Sequence, residues 1–278
     1  MDLANYNSAS LTDKCIVLDL DSTLICSDTN MANFQSLNIF SDPRMIRLRS
    51  RVYQGFIKDG ILRGDARSTS YWGMKRPYLN EFLLFCFSYF RIVAVWTAGT
   101  REYGEQIVDN IFQDIQRPHV LFSQTETLFD ENRRPSKPLI KMMASSPLLS
   151  QLMRMDNTLL IDDNSDNFRP NPNNGVLIPG YDPSPNIVGL QQEDQCLLQL
   201  KMWFSLPEVQ KSQDVTLLDK TKIFLNSKAS YENLLKGFSG YTYSQPIRLP
   251  PPVVSTVPAA GAAALVPVPV PGIKVASF

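Results

Sequence analysis

Twice in this chain an apolar run stops at a pair of carboxylates. Residues 15–24 read Cys-Ile-Val-Leu-Asp-Leu-Asp-Ser-Thr-Leu, and residues 158–166 read Thr-Leu-Leu-Ile-Asp-Asp-Asn-Ser-Asp. A short apolar run bounded this way reads as a parallel strand buried on both faces. In open α/β sheets, ligand sites gather at the carboxyl ends of the strands. Asp19 and Asp21 therefore stand where a site is expected, and so do Asp162 and Asp163. Like charges buried together are costly unless a cation or a shared proton offsets them. The turn preference of Asp and Ser accounts for one such pair; it accounts poorly for two. If both strand ends meet, Asp19, Asp21 and Asp163 form a hard oxygen site of the kind Mg²⁺ prefers, with positions left for water and phosphate oxygens. Lys137 would offset the surplus negative charge.

Composition narrows the class. With 278 residues and 44% hydrophobic content the chain can bury a sizeable core, as one ordinary domain or two small ones. Twenty-seven basic and 27 acidic residues cancel, so no global field favours a nucleic-acid backbone. Cys15, Cys26, Cys86 and Cys196 lack metal-ligand spacing and the single histidine, His119, is remote from them, which argues against zinc and a disulfide framework. The first residues carry no basic-then-apolar signal, and no apolar run reaches membrane-spanning length. A soluble intracellular protein of a reducing compartment, with no membrane or direct nucleic-acid partner, is expected.

In chain order, residues 1–13 form a polar leader. After the first strand, residues 25–44 read as an irregular excursion, and the alternation of apolar with basic or polar groups over 45–58 suggests strands with one solvated face. With a turn at Asp59-Gly60, a small antiparallel insert within residues 25–74 is expected over the sheet's carboxyl end. Its arginines, Arg47, Arg49, Arg51, Arg63 and Arg67, either meet an acidic or phosphorylated partner or line a solvated face. Pro77 suits the first turn of a buried helix over 78–90. A strand at 92–96 follows, running through Thr97-Ala98-Gly99-Thr100 into a helix at about 101–112. That junction offers backbone N–H groups to an anion, or is an ordinary βα turn. Further strands are expected at 119–122 and 175–178, and helices over 139–153 with a break near Ser146-Pro147, over 191–204, over 216–226 and over 230–236. Residues 245–278 are Pro/Val/Ala-rich and read as an extended tail, either passive or a ligand for a Pro-recognising partner.

Asp19-Leu-Asp-Ser-Thr, Lys75-Arg-Pro-Tyr-Leu-Asn-Glu-Phe-Leu, Trp96-Thr-Ala-Gly-Thr-Arg-Glu-Tyr, Lys137 and Leu160-Ile-Asp-Asp-Asn together resemble the haloacid-dehalogenase (HAD) superfamily, and more narrowly the phosphatases of the RNA polymerase II C-terminal domain and their small relatives. The resemblance runs from about residue 14 to 205, leaving 206–244 as a helical extension. It implies a three-layer Rossmann-like α/β fold and a Mg²⁺-dependent serine/threonine phosphatase. By the resemblance Asp19 would be the nucleophile and Asp21 the general acid and base. Thr97 and Lys137, with backbone amides such as that of Ala98, would hold the phosphate. Asp163 would complete the metal site with Asp19 and the backbone carbonyl of Asp21, and Asp162 would orient Lys137. The implied partner is a phosphoprotein, the polymerase tail first among candidates; a nuclear location follows only from that substrate, with the cytoplasm as the other reading.

Ser22 stands where relatives often have Glu or Gln, and the insert is longer than in the small relatives. An arginine they carry after the third strand is Ser123 or Gln124 here, with Arg133 or Arg134 as possible replacements. Two other readings stay open: a phosphatase of small phosphate esters, and a non-catalytic adaptor on the same fold. The sequence is silent on oligomeric state.

Overall fold

The computed structural model describes residues 10–58 and 68–224. In chain order the strands are β1 (Cys15–Leu18), β2 (Ile25–Asp28), β3 (Val52–Lys58), β4 (Ser68–Lys75), β5 (Ile92–Trp96), β6 (Val120–Phe122), β7 (Leu128–Phe129), β8 (Pro135–Ser136), β9 (Thr158–Asp162) and β10 (Gly175–Leu177). The helices are α1 (Met31–Ser36), α2 (Leu79–Tyr89), α3 (Arg101–Ile111), α4 (Leu139–Met143), α5 (Pro147–Leu152), α6 (Ile187–Gln191), α7 (Cys196–Phe204) and α8 (Pro207–Lys211).

Five strands form a parallel sheet in the order β10-β9-β1-β5-β6. β1 is central, and all four of its residues are buried. Side chains alternate across the pleat. Ile16, Leu18, Val93, Val95, Leu159 and Ile161 meet α2, α3 and α7 on one face, whereas Cys15, Val17, Ile92, Ala94, Trp96 and Leu160 meet α4 and α5 on the other. The result is the three-layer α/β fold. Burial of each such aliphatic side chain contributes roughly 1.5–3 kcal/mol. Because both faces are covered, the strands carry continuous apolar runs, which is why they are readable in the sequence.

The insert is an antiparallel sheet of order β2-β4-β3. Its register sets Tyr53 opposite Gly73 and Gly55 opposite Tyr71. Each tyrosine ring covers the facing glycine so closely that a Cβ there would collide with it. The segment expected to be irregular contains β2 and α1, the latter capped by Asn30, whose side chain accepts from the amides of Ala32 and Asn33. Residues 45–51, expected as strand, belong to a 3₁₀ helix over Pro43–Arg51. Asp42 caps it, Pro43 supplies a helical φ, and Met45 and Leu48 are buried one turn apart while Ile46 is exposed. Strand structure begins only at Val52.

Arginines in this region tie segments together. Arg49 Nε donates to the Ile39 carbonyl at 3.0 Å, and Arg51 donates to the Lys75 carbonyl at 2.8 Å and the Tyr181 hydroxyl at 2.5 Å. Arg47 is exposed. Arg63, Arg67 and the Asp59-Gly60 turn lie outside the described residues, as do the greater part of the leader, the 230–236 helix and the 245–278 tail.

Three helix boundaries also differ from expectation. Tyr78, at φ 64°, is the N-cap of α2, so Pro77 precedes the helix rather than entering its first turn. The helix expected over 191–204 opens five residues late, as α7 at Cys196; Asp194, in the gap after α6, accepts from the Cys196 amide. Beyond α8 the described chain holds a 3₁₀ turn at Val215–Leu217 capped by Asp214, not the expected 216–226 helix. The break near Ser146-Pro147 is as expected: Ser146 caps α5 and Pro147 opens it. Among the described residues, no helix is long and apolar enough to cross a membrane.

Candidate active site

Three adjacent strands, β9, β1 and β5, end in Asp162, Asp19 and Thr97. Parallel pairing in register makes Asp19 and Asp162 neighbours, since Leu18 lies beside Ile161; Leu18 also lies beside Val95, so Thr97 stands one residue further along on the β5 side. Asp19 is held in line by its amide, which donates to the Ile161 carbonyl at 3.0 Å, and Thr97 by its own, which donates to Phe122 at 3.0 Å.

Lys137 enters from the segment after β8, and its side chain is fully buried. Its ammonium donates to Asp19 Oδ1 at 2.5 Å and to Asp162 Oδ2 at 2.7 Å. Burial works against its charge, but Asp19 and Asp162 outweigh that and hold Lys137 above its ordinary range. Burial pushes the Asp19 carboxyl well up, with Lys137 pulling in the opposite direction. Asp162 is further held by Asn167 Nδ2, at 2.9 and 2.8 Å from its two oxygens, and by the Asn164 amide at 2.9 Å. Asn167 also accepts the Lys137 amide through its carbonyl at 3.1 Å. The turn over Ser165–Phe168 thus fixes both members of the Lys137–Asp162 pair. That turn is anchored to the β7–β8 hairpin by Arg169, which donates to Asp130 Oδ2 at 2.6 Å and to the Arg134 and Pro135 carbonyls. Arg134 itself pairs with Asp130.

Asp19, Asp162 and Asp163 each offer a carboxylate oxygen within 4.8 Å of the others. Asp163 is half-buried and shifted up, by burial first and then by the charge of Asp162; Thr23 donates to it at 3.5 Å. Three carboxylates against one lysine, with hard oxygen donors only, suit Mg²⁺. Since Asp162 is committed to Lys137 and Asn167, Asp19 and Asp163 are the side chains left to hold a cation. The Asp21 carboxyl is outside this group.

Asp21 turns instead towards the insert. Tyr103 Oη donates to Asp21 Oδ1. Ser27 Oγ lies 2.6 Å from Tyr103 Oη and 2.8 Å from Tyr53 Oη. Asp21 is raised by burial, against the hydrogen bond from Tyr103. The phenol of Tyr103 is pushed far up by burial and by the Asp21 charge, so it remains a donor. Tyr103 lies within one of the motifs but has no task there; Ser27 and Tyr53 carry no signal because they meet only across elements distant in sequence, and Asn167 carries none because it is an ordinary turn residue until its amide reaches Asp162.

The Thr97-Ala98-Gly99 junction leads into α3, where Thr100 caps the helix by accepting from the Tyr103 amide at 3.3 Å. Thr97 is buried and its Oγ1 accepts from the Gly99 amide at 3.0 Å; Ala98 is exposed. A fourth group braces the opposite side. Arg76, 1% exposed, forks onto Asp194 at 2.9 and 2.8 Å and also donates to the carbonyls of Thr23 and Pro179. It joins the loop after Asp21 to the loop after β10, between which Asp163 sits. Of the arginines considered as replacements after β6, Arg134 is engaged with Asp130, and Arg133 sits exposed at φ 58°.

The chain is similar in sequence to several known proteins. The chain is 30% identical over 98 residues to a protein of Invertebrate iridescent virus 3 named as CTD phosphatase-like, covering 35% of this chain and 43% of that one. It is 29% identical over 160 residues to the protein of the same name from Invertebrate iridescent virus 6, covering 54% and 76%. Among solved structures, Fcp1, an essential RNA polymerase II CTD phosphatase, superposes with TM-score 0.46 at 18% identity, over 61% of this chain and 42% of that one. A fission yeast Fcp1 variant bound to beryllium fluoride gives TM-score 0.48 at 18% identity, over 68% and 48%. The chain therefore spans less than half of the first viral relative and of both solved chains. The family model for NLI interacting factor-like phosphatases matches residues 14–216, well over half of the sequence. On that match, the chain belongs to the NLI interacting factor-like phosphatase family.

Proposed function

We propose that this protein is a Mg²⁺-dependent serine/threonine protein phosphatase that works through an aspartyl phosphate on Asp19. The observation that carries the reading is the buried Lys137 bridging Asp19 and Asp162, with Asp163 beside them, at the carboxyl ends of adjacent parallel strands. A lysine fixed between two carboxylates there counters the charge of an incoming phosphate.

Asp19 Oδ attacks phosphorus and the bond to the serine or threonine oxygen breaks; that oxygen leaves with the proton of Asp21. Water then attacks the phosphoryl group on Asp19 and gives a proton to the Asp21 carboxylate, releasing phosphate and restoring both residues. Thr97, the Ala98 amide and Lys137 hold the non-bridging oxygens. Asp19, Asp163 and the Asp21 carbonyl would hold Mg²⁺, which when bound would supply positive charge to the phosphoryl group. The CTD phosphatase-like relatives make a phosphoserine segment resembling the RNA polymerase II tail the first substrate to try, which would place the protein in the nucleus.

The test is hydrolysis of p-nitrophenyl phosphate with and without Mg²⁺, wild type beside Asp19→Asn, followed by phosphoserine peptides against small phosphate esters. Metal-dependent turnover lost in the variant is expected, with peptides preferred. Folded wild type that is inert with Mg²⁺ would overturn the enzyme reading in favour of an adaptor; preference for small esters would overturn the protein substrate.

A further inference from the structure

We propose that the antiparallel insert positions the catalytic acid through a chain of hydroxyls, Tyr53–Ser27–Tyr103–Asp21, so that Tyr53 and Ser27 are positioning residues for protonation of the leaving group. The inference rests on the phosphatase reading and on the Asp21 role within it.

Three observations carry it. First, the chain is continuous: Tyr53 to Ser27 at 2.8 Å, Ser27 to Tyr103 at 2.6 Å, and Tyr103 donating to Asp21 Oδ1. Tyr103 has one proton and gives it to Asp21, so its contact with Ser27 is one in which Tyr103 accepts. Ser27, its proton given to Tyr103, accepts from Tyr53, whose hydroxyl also reaches the Cys26 carbonyl at a longer 3.3 Å; the shorter contacts run towards the carboxyl, the arrangement in which successive hydrogen bonds strengthen one another. Second, this fixes Oδ1 as an acceptor and leaves Oδ2 to carry the transferable proton when Asp21 is the acid. Third, the chain is built into the insert's register. Tyr53 lies over Gly73, where any Cβ would displace its ring, and β3 is held to α3 by Gln106, which donates to the Phe56 carbonyl at 2.8 Å and accepts from Tyr71 Oη at 3.0 Å. α3 also carries Tyr103. The insert and the acid are thus fixed against one helix.

The test uses leaving groups of different basicity. Phenyl phosphate needs a proton on its departing oxygen, whereas dinitrophenyl phosphate departs readily as the anion. For each, kcat/KM reports the step in which Asp21 is the acid. Tyr53→Phe and Ser27→Ala are expected to lower kcat/KM for phenyl phosphate more than for dinitrophenyl phosphate, moving the ratio of the two by about tenfold, part of the roughly 10²–10⁴ that a placed general acid contributes. Ser27→Thr, which keeps a hydroxyl, should restore the ratio. Tyr71→Phe, which removes only the hydroxyl bonded to Gln106 and keeps the ring packed against Tyr53 and Tyr103, should leave the ratio as in wild type. An equal fall on both substrates, an unmoved ratio, or a ratio moved as far by Tyr71→Phe would overturn the proposal. If Ser27→Ala does not fold, Tyr53→Phe, which deletes a single oxygen, carries the test. Wild type inactive on both esters with Mg²⁺ would instead overturn the phosphatase reading.

Discussion

Replacing Lys137 by Met exposes how the site is held together. The lysine is fully buried and makes two short ion pairs, to Asp19 and Asp162. Removing one partner of a buried pair leaves an uncompensated charge and costs about 3–5 kcal/mol. Asp162 keeps Asn167 and the Asn164 amide, so the loss falls mainly on Asp19, whose carboxyl is 9% exposed. Lys137→Met should therefore lower the urea-unfolding free energy by about 3–5 kcal/mol in metal-free buffer at unchanged m. Adding Asp19→Asn to that background should recover about 1–3 kcal/mol, since an unpaired buried amide is cheaper than an unpaired charge. Millimolar Mg²⁺ should stabilise the Lys137→Met protein and do so less once Asp19 is Asn, by mass action on the native state. Circular dichroism or tryptophan fluorescence during urea titration reads all four proteins of the cycle. A cost below about 1 kcal/mol for Lys137→Met, or no recovery on adding Asp19→Asn, would refute a charge balance centred on this lysine.

Arg76→Lys should cost about 2–4 kcal/mol, because an ammonium cannot reproduce the fork onto Asp194 while also reaching the Thr23 and Pro179 carbonyls; equilibrium unfolding checks this, and a loss within error of zero contradicts it. Asp130 is held down to about 2, chiefly by the Arg134 amide and then by Arg169. A depressed carboxylate contributes stability that is complete above its unfolded pKa, about 4, and fades as pH falls towards 2. The stability gap between wild type and Asp130→Asn should shrink over that window in urea titrations at successive pH values; a gap independent of pH counts against the clasp. Gly55→Ala should destabilise by about 1–3 kcal/mol through overpacking against Tyr71, where an exposed strand glycine would gain stability from the same change.

The sheet was legible because its strands are buried on both faces: Ile16, Val93, Leu159 and their neighbours spell apolar runs, and the acids terminating β1 and β9 mark the site end. Asp19, Asp162 and Asp163 could be paired across the chain because parallel register brings like strand ends together. The insert was legible only as alternation. Met45 and Leu48, three residues apart, fall on opposite faces of a strand but on one face of a 3₁₀ turn, and Asp42-Pro43 was the cap that decides between them. The β2 strand was hidden because it is only four residues long, and after buried Ile25 its residues are half-buried and end in Ser27-Asp28. Asp194 escaped notice because its partner, Arg76, is remote in sequence, and its cap on Cys196 shortened a helix whose apolar pattern runs further. Tyr53, Ser27 and Tyr103 are chemically ordinary residues whose meaning lies in meeting one another beside Asp21.

The central claim is that Asp19 carries the phosphoryl group. Rapid-quench trapping of the protein with a labelled phosphoester, in Mg²⁺, tests it most directly, with the labelled residue located by peptide mass spectrometry. The account predicts an acid-stable, hydroxylamine-sensitive phosphoryl group on Asp19, dependent on Mg²⁺ and missing from Asp19→Asn. Metal-dependent turnover that persists in Asp19→Asn, or label on a residue other than Asp19, would contradict it.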